Sequence, residues 1–279
     1  MLEVCAAAVN PFDVMASSGR FYAKPGPLPV VVGLDGIGRK AHGRRVYFEA
    51  TAPYGAAAER TLVEPHSIID VPDGLDHAVG AALGNAGLAA WLSLAWRAEL
   101  AAGETVLVLG ATGTAGRLAV QVAKLLGAGR VIAAGRNLAR LRGVAELGAD
   151  ACVALGADDA EAALHEAVGS GVDVVIDFLW GAHAALALQT TAPDARFIQV
   201  GNAAGLDAAI PAGVVRSKSV GILGYANYTL RGRSGTPPTV PSPSTPRPAE
   251  SKSTPSACGS RMSTRPGSAN ARVPLASSC

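Results

Sequence analysis

The run Thr105–Gly116, TVLVLGATGTAG, constrains the fold of this 279-residue chain more than any other segment. β-Branched and leucine residues enter a glycine-rich turn. Apolar residues then recur at helical spacing, at Ala115, Leu118, Ala119, Val122 and Leu126, until Gly127 supplies a stop. Strand, tight turn and helix in that order predict the opening of a βαβ unit. Within it, Ala111, Gly113 and Gly116 answer three needs: a tight turn, close approach of the backbone to a ligand, and helix–strand packing. The helix N-terminus presents free N–H groups and a positive dipole end, which suits a pyrophosphate. The predicted dinucleotide-binding set therefore begins with Gly110, Ala111, Thr112, Gly113, Thr114, Ala115 and Gly116.

The next strand, Arg130–Ala134, runs into Gly135-Arg136. That is about twenty residues past the glycines, where an NAD site keeps an acidic residue for the ribose hydroxyls. An arginine there offers its guanidinium to the 2′-phosphate of NADP, with Arg140 one helical turn on as a second donor. NADP(H) is the expected cofactor. The competing reading is an Arg136 that ends a strand and faces water.

From about Leu100 to Leu223 strand and helix patterns alternate. Helix Leu138–Leu147, strand Ala151–Leu155, helix Asp159–Val168 and strand Asp173–Phe178 follow the second strand. A short helix near His183–Leu188 and strands Arg196–Val200 and Val220–Leu223 come next. Continuous apolar strands separated by helices predict a parallel sheet covered on both faces. Met1–Val71 reads differently, with short β-rich pieces (LEVCAAAV, LPVVVG, RRVYFEA, AERTLVEP) that predict a small irregular barrel. Asp73–Leu100 predicts two short helices, with Asp76 as N-cap, Gly84-Asn85 as the break, and Trp91 and Trp96 packed between the two parts.

Beyond Gly232 the pattern stops. Nine of the eighteen prolines fall in the last 48 residues, among Ser, Thr, Arg, Gly and Ala. Such a segment cannot bury enough apolar surface to offset its ordering entropy, so disorder is expected. Two origins fit it: a genuinely disordered tail, or a coding frame shifted near Gly232. From Arg231 the charge is +6, whereas Met1–Leu230 carries −4, which argues against a nucleic-acid groove on the folded part. No stretch is long and apolar enough for a membrane span and no basic leader is present, so a cytoplasmic location is expected. Cys5 and Cys152 sit in apolar runs and read as buried free thiols.

Seven pieces together resemble the zinc-independent medium-chain dehydrogenase/reductases of the quinone oxidoreductase type. They are VNPFD, LPVVVGLDGIG, GNAGLAAW, GETVLVLGATGTAG, LGAD, VDVVIDFLWG and RFIQVG, spread from Val9 to Gly201. The resemblance spans about Met1 to Tyr225. It implies an incomplete GroES-like β-barrel domain over 1–98, a doubly wound Rossmann domain over 99–230, and a tail over 231–279. It also implies a homodimer that reduces quinones or α,β-unsaturated carbonyls with NADPH. It adds Leu179 and Gly201 to the cofactor set, and places Asn10, Tyr22, Asn85 and Leu88 near the acceptor. Zinc-dependent relatives hold ligands in the segments matching Asn10–Asp13 and Leu34-Asp35. Those ligands are absent here, and the histidines at 42, 66, 77, 165 and 183 form no i,i+4 pair, so no metal is expected. Ala89 stands where many relatives carry a hydroxyl. Relatives also begin some thirty residues earlier and return to the first domain after the last Rossmann strand. The expectation is a catalytic half lacking elements at both ends, prone to association and weakly active. The alternatives are an enoyl-thioester reductase on the same scaffold, and a catalytically impaired NADPH-binding sensor or interaction module.

Overall fold

The structure, a computed structural model, describes residues 1–18 and 29–227. The first part is an antiparallel sheet of β1 (Leu2–Ala7), β2 (Asp35–Arg39), β3 (Arg45–Glu49), β4 (Arg60–Thr61) and β5 (Ile68–Asp70). The strands lie in the order β4-β1-β2-β3-β5 around a small core of Leu2, Val46, Phe48 and Ala56. The LPVVVG strand is not formed. Val31, Val32 and Gly33 exchange backbone hydrogen bonds with the 53–57 loop instead, and Gly33 turns the chain at φ +99° before β2 begins. Leu28 of that run, Tyr22 and the segment from Arg231 lie outside the described residues.

A short helix, α1 (Pro11–Ser17), leaves β1 after Asn10. Two more lead to the second sheet: α2 (His77–Leu83) and α3 (Asn85–Leu92), bent by 43° at Gly84, with α3 widening into a π turn over Ser93–Arg97. The Asp76 carboxylate caps α2, accepting from the N–H groups of Ala78 and Val79 at 2.9 and 3.0 Å. Among the described residues no single helix is long and apolar enough to cross a membrane.

The second sheet is wholly parallel. It contains β6 (Thr105–Leu109), β7 (Arg130–Gly135), β8 (Ala151–Ala154), β9 (Val172–Asp177), β10 (Thr191–Gln199) and β11 (Gly221–Gly224), in the order β11-β10-β9-β6-β7-β8. Helices α4 (Thr114–Leu125), α5 (Leu138–Ala145), α6 (Ala160–Val168), α7 (Gly181–Gln189) and α8 (Ala212–Lys218) connect the strands. Alternate residues of one strand enter different cores. Val106, Val108, Val131 and Val174 pack against α3, α4 and α5, while Leu107, Leu109, Ile132 and Val175 pack against α6 and α7. Double coverage is why these strands read as unbroken apolar runs. Trp91 and Trp96 lie half-buried against the first of these cores, and Trp96 meets Tyr225 edge-on at 6.3 Å.

Among the described residues four elements escaped the sequence: α1, β5 and α8 are only 7, 3 and 7 residues long, too short for a period to register, and the 5-residue β2 is broken as a pattern by Gly36 and Gly38. The thiols also differ from expectation. Cys5 is half-buried and Cys152 is exposed, because β8 is an edge strand whose inward position is the neighbouring Val153.

Candidate functional site

The order of the parallel sheet reverses at β6, from which the chain crosses to β7 on one side while β9 returns on the other. Ligands of open α/β sheets bind outside the carboxyl ends of the strands at such a point. The glycine turn sits there. Gly110 takes φ +83°, and the N–H groups of Gly110 and Ala111 both donate to the Ala134 carbonyl at the end of β7 (2.9 and 3.0 Å). This corrects the assignment of the tight turn to Ala111. The left-handed residue is Gly110, where no Cβ penalty arises, and Ala111 is fully buried behind it. The other two small residues separate by environment. A Cβ on Gly116 would come within 2.2 Å of the Gly110 carbonyl oxygen, so helix and turn are in direct contact. A Cβ on Gly113 would meet nothing closer than 3.5 Å, leaving the backbone open on that side.

The rest of the predicted set gathers at the same edge. Thr112 lies against Gly135 and is half-buried, while Thr114 is exposed at the start of α4 and Ala115 half-buried beside it. Arg136 follows β7 directly. Its side chain and that of Arg140 are exposed, and neither guanidinium is hydrogen-bonded among the described residues. Burial and the charge of Arg136 hold the His183 imidazole below its usual range, which puts Arg136 within electrostatic reach of α7. Leu179 packs toward Gly110, and Gly201 packs on the Phe178 carbonyl.

Asp177, not singled out from sequence, organises this side. Its buried carboxylate accepts from the N–H groups of Leu179 (2.7 Å) and Trp180 (3.0 Å), holding a turn in which Trp180 adopts φ +58°. Its carbonyl accepts from Val200 and Gly201 at 2.8 and 3.1 Å. Burial pushes its pKa up to about 6, against the opposing effect of the Trp180 and Leu179 amide bonds. The signal was present in the sequence as a carboxylate that closes the apolar run Val174–Ile176.

A second polar centre lies in the antiparallel part, around Asp35, which is fully buried. One carboxylate oxygen accepts from Asn10 Nδ2 (3.3 Å). The other accepts from the Tyr47 hydroxyl (3.0 Å) and the Asn85 N–H (2.8 Å). Burial raises the Asp35 pKa; the bonds from Asn85 and Tyr47 lower it, and the charges of Asp13 and Glu49 raise it further. Asp13 in turn accepts from the Asn10 N–H at 2.7 Å. Asn10 and Asn85, 75 positions apart in sequence, therefore meet on one carboxylate. Leu88, one turn along α3, is partly exposed, and its carbonyl accepts a long bond from the Tyr225 hydroxyl at 3.4 Å. Tyr47, Asp35 as an acceptor, and Asn227 were not anticipated as site residues, because their partners are remote in sequence.

Fold and site together define a doubly wound α/β protein with an antiparallel β unit ahead of its nucleotide-type sheet. A family model described as "Zinc-binding dehydrogenase" matches residues 115–239. The quinone oxidoreductase of Thermus thermophilus, solved also with NADPH, is similar at 29% identity and TM-score 0.73, covering 83% of this chain and 73% of that one. A probable oxidoreductase from Mycobacterium abscessus is 31% identical at TM-score 0.68, over 82% of this chain and 72% of its own. Among curated proteins, the chloroplastic NADPH-dependent alkenal/one oxidoreductase of Arabidopsis thaliana is 34% identical over 170 residues, 55% of this chain and 44% of that protein. The chain spans less than half the length of the curated relatives it matches. It belongs to the medium-chain dehydrogenase/reductases, in the quinone oxidoreductase type.

Proposed function

We propose that the chain is an NADPH-dependent reductase of quinones and α,β-unsaturated carbonyl compounds. The observation that carries this reading is Arg136 at the carboxyl end of β7. It adjoins a glycine turn at the switch point of the sheet, where an NAD site would hold a carboxylate. The residues present fit such a group: Gly110 makes the turn, and Gly113 leaves open the backbone that a pyrophosphate would approach. When bound, NADPH supplies a hydride to the conjugated acceptor, whose oxygen becomes anionic and takes a proton from water.

The chain's own residues then divide the work. Gly110–Gly116 and the first turn of α4 would hold the pyrophosphate, while Gly135, Arg136 and Arg140 would hold the 2′-phosphate. Leu179 and Gly201, both hydrogen-bonded to Asp177, would line the cofactor's other side. Asn10 and Asn85 face the acceptor from the Asp35 centre, joined by Tyr22 on family resemblance. Residues 1–98 form the acceptor-binding part and 99–230 the cofactor-binding part. The proposed chemistry uses no metal, since nothing in it requires an alkoxide to be stabilised. A homodimer in the cytoplasm completes the reading.

The test is NADPH oxidation with a panel of quinones, enones and an enoyl thioester. Turnover of a quinone or enone is the expected result. Preference for the thioester selects the enoyl reductase alternative. NADPH binding without turnover of any acceptor overturns the enzyme reading in favour of a binding module.

A further inference from the structure

We infer that the Asn85 side chain is the donor that stabilises the anionic oxygen of the reduced acceptor, and that Asn227 is the positioning residue that orients it. The inference rests on the reductase reading above. Asn227 stands three residues past β11, with its Nδ2 2.8 Å from the Asn85 carbonyl oxygen and 2.6 Å from Asn85 Oδ1. The two ends of a side-chain amide have nearly the same shape, so their identity must follow from partners that cannot reverse. A main-chain carbonyl only accepts. The end of Asn227 facing Asn85 is therefore its NH2, consistent with its Oδ1 accepting from the Tyr225 hydroxyl at 2.6 Å. The Asn85 atom facing that NH2 must then be the oxygen.

The remaining valences of Asn85 follow. Its N–H donates to Asp35 at 2.8 Å, and its carbonyl and Oδ1 are engaged by Asn227. One group is left, Nδ2 with its two hydrogens, which makes no hydrogen bond among the described residues. Location agrees with the role. The Tyr225 N–H donates to the Gln199 carbonyl at the carboxyl end of β10 (2.9 Å), two residues before Asn227 takes hold of α3. Asn85 thus stands where the antiparallel sheet meets the edge that carries Gly110, Leu179 and Gly201. A donor locked in place on three sides stabilises a developing oxyanion without reorganising at the moment of reaction.

The probe is 4-nitrophenol, whose phenolate oxygen stands in for a hydroquinone anion. It is titrated against the full chain in the presence of NADP+, following the visible phenolate band. Bound to the unmodified chain, the phenol should ionise at a lower pH than free in solution. Asn85→Asp, the same shape without the donor, and Asn227→Ala should each weaken phenolate binding about tenfold or more. Where an acceptor turns over, Asn85→Asp should lower kcat about a hundredfold. NADPH affinity and the urea midpoint should stay near those of the unmodified chain in the Asn227→Ala variant. The inference is overturned if the unmodified chain does not favour the phenolate, or if both variants bind it equally well. It is also overturned if phenolate binding, NADPH affinity and stability all fall together, as a merely structural role requires. Phenolate stabilisation that depends on Asn85, without turnover of any acceptor, sinks the reductase reading and leaves the anion site standing. Brisk turnover indifferent to both variants does the reverse.

Discussion

Asp177 closes β9 inside the parallel sheet, and its folded-state pKa of about 6 stands above the ordinary 3.8. Between those two values the folded protein keeps a proton that the unfolded chain has released. Stability linked to this group is thus whole below pH about 4 and lost as pH rises to about 6. The loss is at most about 3 kcal/mol, from the shift at 1.36 kcal/mol per unit. Asparagine can accept the same two amide bonds through Oδ1 without a charge. Asp177→Asn should therefore be the more stable protein at pH 8 by up to that amount, with the gap closing toward pH 4 in urea titrations. Equal pH slopes for the two proteins would remove the buried charge from the account. Arg136 makes a different prediction, on binding. Exposed, and with a guanidinium that makes no hydrogen bond among the described residues, it should give NADPH at least about tenfold preference over NADH, and Arg136→Asp should abolish that preference. Equal affinity of the unmodified chain for both cofactors, measured by fluorescence titration, would refute its role.

At the scale of elements, the contact of α4 with the glycine turn admits little adjustment. A methyl at Gly116 would fall 2.2 Å from the Gly110 carbonyl and 2.7 Å from Ala111 Cα, both backbone atoms that cannot rotate aside. Gly116→Ala should cost about 1–3 kcal/mol in urea midpoint terms, and NADPH affinity should fall with it as the turn is displaced. Asp76→Ala removes only the cap of α2, so the urea midpoint should fall less than for Gly116→Ala, with NADPH affinity unchanged. A larger loss for the cap than for the glycine would invert this ranking of contacts. The cap was legible in sequence because its partners lie two and three residues away. The collision at Gly116 was legible only as a small residue in a spacing.

For the molecule as a whole, the absence of zinc is the prediction that bears on chemistry. Among the described residues no group of three His, Cys, Asp or Glu side chains is placed to hold a metal ion. Asp35, where zinc-dependent relatives carry a ligand segment, has its oxygens committed to Asn10, Tyr47 and Asn85. Elemental analysis should find far less than one zinc per chain, and a chelator should leave turnover and the urea midpoint unchanged. Close to one zinc per chain would overturn the proposed mechanism.

Local chemistry carried the sequence a long way. Periodicity placed the helices and strands between Leu100 and Leu223 except the seven-residue α8, because covered parallel strands must be apolar and their helices need one apolar stripe. The glycine spacing and Arg136 marked the carboxyl edge of the parallel sheet, where the cofactor site is proposed, because strand, turn and second strand lie within one βαβ unit. Tertiary structure alone decided which glycine turns at 110, why LPVVVG is not a strand, and which groups surround Asp35. Those outcomes depend on hydrogen bonds between residues such as Asn10 and Asp35, or Asn85 and Asn227, that are 25 and 142 positions apart. A buried carboxylate or amide is shaped by the partners that reach it, and no pattern along the chain records which partners those will be.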